Sequence, residues 1–558
     1  MGRLSRLWSV GLVSLASAGI ISWSSAGTFA ALRPVRAFPS GGTVTWVDAP
    51  SGPFADNFNP WSPNNAAGGV TSIFESLLYI NLYTGSVTPK LATAYHYTNH
   101  HQAIVFNLRH GVKWSNGTAF TAKDVVFTFT MLMKNPGIDL NDLKAMISSV
   151  VENSPYQVTV HLKAPNVTDL YYIAGDTPIV PQTQWGAIKD PVTFTDPHPI
   201  TTGPFKVGSV SREQLTLVRN PLYWNKPEPY ISKIIWPAYI SNNTAALAMG
   251  QGKFTMASQF VPSIKKVLLD RNPAHYGDWF PPVSTNMLFL NDATYPFNLL
   301  AFRQALNDVI NRKAIGQVGE QGYEVAANAV GLPANPQDKK QFDQAVIRKY
   351  APVVSVPKAK TVLKKAGFRW RGGHLVSPKG HPVSVTVLAM SGATDWVADG
   401  GIIVNELHAL GISAVEKTPA PSTLTADLAS GHFQAAIDGT GSGPGAYYLY
   451  YPLLDSAFTA PIGKPATSNF ERWRNATTNR LLNQYVTTFS QSKQQAILDQ
   501  LETIMAKDLP VIPLTDSAAW EQYNSTHIVG FPTAKNPYAV LAYTANNNEY
   551  ILAQLHRK

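Results

Sequence analysis

Short runs in the first third of the chain alternate apolar with polar residues, the mark of half-buried strands. Thr43-Val44-Thr45-Trp46-Val47 reads this way, as do Ile104, Phe106 and Leu108, and then Val158, Val160 and Leu162 within 156–162. The loop 56–69, rich in Asn, Pro and Gly, separates the first strand from a helix predicted over 70–78. Asn116-Gly117 follows Val112-Lys113-Trp114 as a tight-turn signal, and these runs are expected to form a small β-rich region. Thr121 has the position of a helix N-cap, with Asp124 three residues on and Phe120 and Val125 placed as a hydrophobic staple.

In the second half the period lengthens from two to 3.6. Phe302, Ala305, Leu306, Val309 and Ile310 form one stripe of a helix predicted over 301–315, and a helix over 357–366 stops at Gly367. A strand over 383–390 leads to a helix over 396–410, a stop at Gly411 and a strand from Ile412. A helix over 423–430 then precedes a strand over 433–437. Strands alternating with helices imply βαβ units and a largely parallel sheet. Open α/β sheets bind ligands beyond the carboxyl ends of their strands. Two loops occupy that place here, Ser391 to Trp396 and Asp438 to Tyr448.

The chain has 558 residues, 45% hydrophobic, enough to bury more than one core, and two or three lobes are expected. A net charge of +10 comes without any compact Lys/Arg run, which argues against a nucleic-acid groove. The absence of cysteine removes disulfides, thiolate chemistry and a lipidated anchor. Arg3 and Arg6 precede an apolar stretch from Leu7 to Ile21, followed by small residues at Ser24-Ser25-Ala26 and Thr28-Phe29-Ala30. This is the pattern of an export signal over 1–30, and it predicts a mature protein outside the cytoplasm. No charge occurs between Arg6 and Arg33, and a membrane span needs only ~20 residues, so an uncleaved anchor is the alternative.

Motifs for catalysis are scarce. The run from Gly439 to Gly445 lacks the Lys-Ser/Thr ending of a P-loop and the spacing of a dinucleotide fingerprint, and it has Gly where a nucleophile elbow needs Ser. Its position at a strand end instead suits close approach of backbone to a ligand. His96, His100, His101 and His110 have no metal-site spacing and read as solvated loop residues. No carboxylate pair stands out, so no catalytic residue, metal or cofactor is expected. A secreted hydrolase and a receptor or scaffold remain as alternatives. Trp396 and Tyr447 can be read equally as stacking faces for a ligand or as packing, whereas Tyr450 and Tyr451 read as packing.

A family resemblance then joins these pieces. Ile73-Phe74-Glu75-Ser76-Leu77-Leu78, Pro89-Lys90-Leu91-Ala92 and the run from Phe106 to Val125 closely resemble the signature region of the family 5 extracellular solute-binding proteins. The likeness continues through Thr202-Gly203-Pro204-Phe205, Asn220-Pro221-Leu222-Tyr223-Trp224, Arg303-Gln304-Ala305-Leu306, Leu410-Gly411-Ile412 and Asp508-Leu509-Pro510-Val511-Ile512-Pro513. It implies an α/β, two-lobed periplasmic-binding-protein-like (type II) fold with an additional β-rich domain and a ligand cleft between lobes. The expected parts are lobe I from 40–75, 200–282 and 516–558, the extra domain from 76–199, and lobe II from 283–515.

Members of that family bind peptides, nickel complexes or short oligosaccharides for ABC importers. The resemblance therefore implies a monomer that delivers a small ligand to a membrane permease. Peptide is the family default, and a cellobiose-type sugar is the alternative. Peptide-binding members often carry an Asp in the lobe II loop for the peptide amino terminus, where this chain has Gly443. The expected ligand contacts are Trp61, Asn64, Asp395, Trp396, Asp438, Gly439, Gly441, Tyr447 and Tyr448. Arg109, Trp114, Asn116, Gly117 and Asp124 are assigned to the fold.

Overall fold

The computed structural model describes residues 26–27, 38–48, 51, 53–62, 65–441, 443–541 and 548–558. Most of the expected leader over 1–30, and Asn64, lie outside the described residues. Thr43–Asp48 lies inside a seven-stranded sheet, parallel to Lys233–Pro237 on one side and to Met256–Ser258 on the other. Trp46 stacks on Trp236 across that pairing, with centroids 4.2 Å apart. The next helix is Ala67–Ile73, shifted toward the N-terminus from the expected 70–78. Glycine explains the shift, because a Cβ at Gly68 would fall 1.9 Å from the Trp236 ring and only a bare backbone can lie this close to the sheet. The apolar run that follows becomes extended, and Leu78–Ile80 pairs with Val87–Pro89. A short apolar run suits helix and strand alike, and here burial on the sheet side decides.

The β-rich domain is built on an antiparallel sheet ordered Ala26–Gly27, Ala92–Thr98, Ala103–Leu108, Gln157–Leu162, Ile147–Ser154. Gly117, at φ +93°, closes the Asn116-Gly117 turn. Asp124, in the first turn of helix Ala122–Lys134, is buried and accepts from Thr121 N (3.0 Å), Trp114 Nε1 (3.2 Å) and Gln182 N (3.0 Å). One carboxylate thus caps the helix, fastens the hairpin and holds the next segment.

Residues of the signature region also form a buried ion cluster. Lys90 Nζ lies 3.1 Å from Glu75 and 3.4 Å from Glu549. Glu75 accepts from Trp224 Nε1 at 3.1 Å and from Tyr223 O–H at 3.4 Å, and the Arg109 guanidinium stacks 3.9 Å over Trp224. Burial lowers the Lys90 pKa, but Tyr223 and the two carboxylates outweigh it and hold the ammonium well above its usual range. Burial likewise pushes Glu549 up to about 7 against the pull of Lys90. Glu549 belongs to helix Asn548–Gln554, which packs on Ala67–Ile73, so the cluster ties the C-terminal segment to lobe I.

The third sheet is ordered Ser413–Lys417, Ser384–Leu388, Ala435–Gly439, Pro282–Leu290, Val511–Ala518, with the first three strands parallel. Helices Val356–Lys365, Thr394–Ala409 and Pro421–Ser430 match the 3.6-residue period, each followed by a glycine at positive φ, Gly367, Gly411 and Gly431. The helix expected over 301–315 is broken instead into Leu300–Asn307 and Arg312–Ala314. Asp308 caps the first piece and receives Ser355 N on its carbonyl and Lys358 Nζ on its carboxylate, while Asn311 caps the second. The stripe Phe302, Ala305, Leu306, Val309 and Ile310 is buried throughout, so the apolar period survives the break.

Two chain crossings join the sheets of the lobes. Tyr276–Trp279 ends in the lobe I sheet and Pro282–Leu290 begins in lobe II; Val511–Ala518 ends in lobe II and Glu521–Asn524 begins in lobe I. The crossings run side by side, with Trp279 opposite Glu521 and Pro282 opposite Ala518. The expected break between 515 and 516 falls within a strand that continues to Ala518.

Candidate functional site

The loop beyond the carboxyl end of Ser384–Leu388 meets lobe I through two contacts. Asn242, at the start of helix Asn242–Gly250, donates its backbone N–H to Gly392 O (3.1 Å) and its Nδ2 to Asp395 Oδ1 (3.3 Å). Nearer the crossings, Ile264 N donates to the Tyr323 hydroxyl (2.8 Å) and Ser263 N to Gln321 Oε1 (2.6 Å). Trp520 lies between these walls, 5.5 Å from Phe260 and 4.9 Å from Phe280 by ring centroids. The 391–396 loop and the 321–323 segment of lobe II therefore both meet lobe I.

Asp395 is buried in the first turn of helix Thr394–Ala409. Burial pushes its carboxyl up to about 6, with the N–H groups of Trp396 and of Asp395 itself and the Asn242 amide pulling it back. Trp396 is half-buried against the lobe II core. Asp438 is half-buried at the end of its strand and accepts from Gly439 N at 2.8 Å, and desolvation holds its carboxyl up at about 6. Gly439 has open space where a side chain would stand, and Gly441 is exposed. These five residues sit on the two adjacent strand-end loops.

The other expected contacts have different surroundings. Trp61 is buried edge-on against Trp185 at 5.5 Å, inside the core shared by lobe I and the β-rich domain. Tyr447 is buried and stacked between Tyr451 (5.2 Å) and Tyr485 (4.9 Å), so its ring faces are occupied by packing. Tyr448 is half-buried and donates its hydroxyl to Thr168 O of the β-rich domain at 3.0 Å. Gly443 is there for Tyr448, since a Cβ at Gly443 would lie 2.2 Å from the Tyr448 Cβ.

Sequence reading missed a group of carboxylates beneath the Asp395 loop. Glu320, Glu324 and Asp399 are buried with Asp395, and burial is the largest cause of their raised pKa values; Asp395 and Asp399 push Glu320 and Glu324 further up and Asp395 does the same to Asp399, so that Glu324 and Asp399 each stand at about 8. Glu324 is the best satisfied, accepting from Thr515 Oγ1 (2.7 Å), Asn286 Nδ2 (2.8 Å) and Ala518 N (2.8 Å) at the foot of one crossing strand. The spacing of Asp395 and Asp399, one helical turn apart, was the single available signal. Among the described residues no group of three or more His, Cys, Asp or Glu is arranged to hold a metal ion. The four histidines are dispersed; His110 stacks on Tyr156 and His101 on Phe489.

The family model of the bacterial extracellular solute-binding proteins, family 5 (middle), matches residues 86–460. The nickel-binding periplasmic protein of Escherichia coli K12 is 24% identical over 514 residues, covering 87% of this chain and 91% of that protein. The periplasmic oligopeptide-binding protein of an oligopeptide ABC transporter from Thermotoga maritima superposes with a TM-score of 0.83 at 25% identity, over 92% of this chain and 99% of the other. A second structure of it, bound to mannohexaose, gives 0.84 at 25% identity, over 92% and 98%.

Proposed function

The chain belongs to the bacterial extracellular solute-binding proteins, family 5, and from that membership we propose that it captures an oligopeptide between its lobes and presents it to the membrane permease of an ABC importer. The family match over 86–460 carries this reading, supported by two lobes joined by paired crossings and touching at the strand-end loops. Binding a ligand that touches both lobes favours the closed arrangement over an open one. No chemical step is required of the protein. Export by the leader over 1–30 fits the role, and among the described residues no helix is long and apolar enough to cross a membrane.

Within this reading, Asp395, Trp396, Asp438, Gly439 and Gly441 line the lobe II side of the ligand. An oligosaccharide is the second candidate, favoured by the likeness to the mannohexaose-bound structure and by the half-buried Trp396. Calorimetry and small-angle scattering of the mature protein against matched peptide and oligosaccharide panels test both. Binding with compaction and no turnover is expected, and a ligand at about 100 times its Kd adds about 2.7 kcal/mol of stability. Reproducible conversion of the bound ligand to product would replace the transport reading with a hydrolase.

A further inference from the structure

The segment after Gln157–Leu162 is where the β-rich domain meets lobe II. Val167 N donates to Val486 O at 2.8 Å, and Thr168 O accepts from the Tyr448 hydroxyl. The chain then makes a π-turn at Tyr171–Gly175, an irregularity found most often at functional positions. Asp169 stands between these features with no solvent exposure, and neither of its carboxylate oxygens has a hydrogen-bond partner.

Its surroundings are aromatic. The hydroxyls whose ionisation feels the Asp169 charge are those of Tyr97, Tyr172, Tyr448 and Tyr451. Tyr97 and Tyr172 come from the β-rich domain, while Tyr448 and Tyr451 lie on helix Ala446–Leu454, which continues the Asp438 loop of lobe II. Burial holds the Asp169 carboxyl up at about 8, with no cation to offset it. A buried carboxylate without a partner is costly, and a cation is the group that removes the cost. Tyrosine faces attract the same kind of group through their ring quadrupoles. From Gly439 to Leu454 the facing loop and helix of lobe II contain no acidic residue; Asp455 follows directly, and Asp142 and Asp176 also act on these tyrosines, but of the four acids Asp169 is the one with no solvent exposure.

We propose that Asp169 anchors an ammonium group of the ligand, enclosed by Tyr97, Tyr172, Tyr448 and Tyr451 between the β-rich domain and lobe II. The proposal rests on the solute-binding reading and narrows its ligand class to molecules with a free amine. Closure over an amine lets Asp169 give up its proton and pair with the ammonium, whereas closure over a neutral ligand leaves the carboxyl protonated and without a partner.

The test is calorimetry with unblocked oligoalanines, their N-acetylated counterparts and cello-oligosaccharides, on the wild type and on Asp169→Asn. Unblocked peptides should bind, N-acetylation should weaken them on the order of a hundredfold, and Asp169→Asn should cause a loss of similar size. Equal affinity for blocked and unblocked peptides, or binding of the sugars alone, overturns the amine site and leaves the solute-binding reading standing. Silence toward every probe, with no compaction, overturns both. The comparison of blocked with unblocked peptides needs only wild-type protein, so a folding defect in the variant does not spoil it.

Discussion

Lys90→Met should destabilise the protein more than any change at the strand-end loops, although Lys90 belongs to the most recognisable part of the sequence. Methionine keeps most of the buried stem and deletes the charge 3.1 Å from Glu75 and 3.4 Å from Glu549. Removing one partner of a buried ion pair costs about 3–5 kcal/mol, because the remaining charge stays buried and unpaired. Here two carboxylates are left, and Glu549 already stands at about 7 with Lys90 in place. In the variant Glu549 loses the cation that offsets its burial and shifts further toward the neutral form, so its folded-state pKa lies still further above the unfolded one. Stability is then full below the unfolded pKa near ~4 and drains as pH rises through the folded value. The variant's deficit should therefore be small at pH 5 and approach its full size at pH 8. Urea unfolding, with hydrogen exchange read in helix Asn548–Gln554, measures it, and the triple variant Lys90→Met/Glu75→Gln/Glu549→Gln should recover most of the loss. A Lys90→Met protein within about 0.5 kcal/mol of wild type at pH 8, or equally destabilised at both pH values, would refute the argument.

Two further outcomes follow from the same structure. Glu324, Asp399 and Asp169 are all held at about 8 by burial, so each carries a proton in the folded state at pH values where the unfolded chain has lost it. Each should withdraw up to about 1.4 kcal/mol per pH unit between the unfolded pKa and 8, and the wild-type Tm should be higher at pH 5 than at pH 8; a flat or rising profile contradicts this. Asn242→Ala removes the side-chain bond that Asn242 makes across the lobes to Asp395. One such bond is worth about 0.5–1.5 kcal/mol, so ligand affinity should fall roughly two- to tenfold through faster dissociation, and an unchanged Kd would deny that contact a part in closure.

The features legible in the sequence are those set by local chemistry. The Asn116-Gly117 turn, the Thr121/Asp124 cap and the positive-φ stops at Gly367 and Gly411 each depend on residues within a few positions. The boundaries that moved were decided by distant partners. Gly68 starts its helix early because Trp236 lies beneath it, and the 301–315 helix breaks where Asp308 receives Ser355 and Lys358 from another helix. The candidate site was harder to read for the same reason. Trp61 and Tyr447 have the composition of ligand-stacking residues, yet their ring faces meet Trp185, Tyr451 and Tyr485, residues up to 124 positions away in the case of Trp185.

The signature residues and the proposed amine site differ in how their polar groups are satisfied. Glu75, Lys90, Arg109 and Trp224 carry the signature and are engaged with one another in a buried cluster, where Lys90 also meets Glu549. Asp169 lies within the span that the family model matches but outside the signature runs, and its two oxygens remain unpaired at a junction rich in tyrosine. A fold can be conserved by groups that satisfy each other, because such groups need the rest of the chain and nothing else. Recognition needs the opposite condition, a buried group left unsatisfied until something outside the chain arrives. Asp169, at the junction between the β-rich domain and lobe II, meets that condition, and the proposed amine would satisfy it.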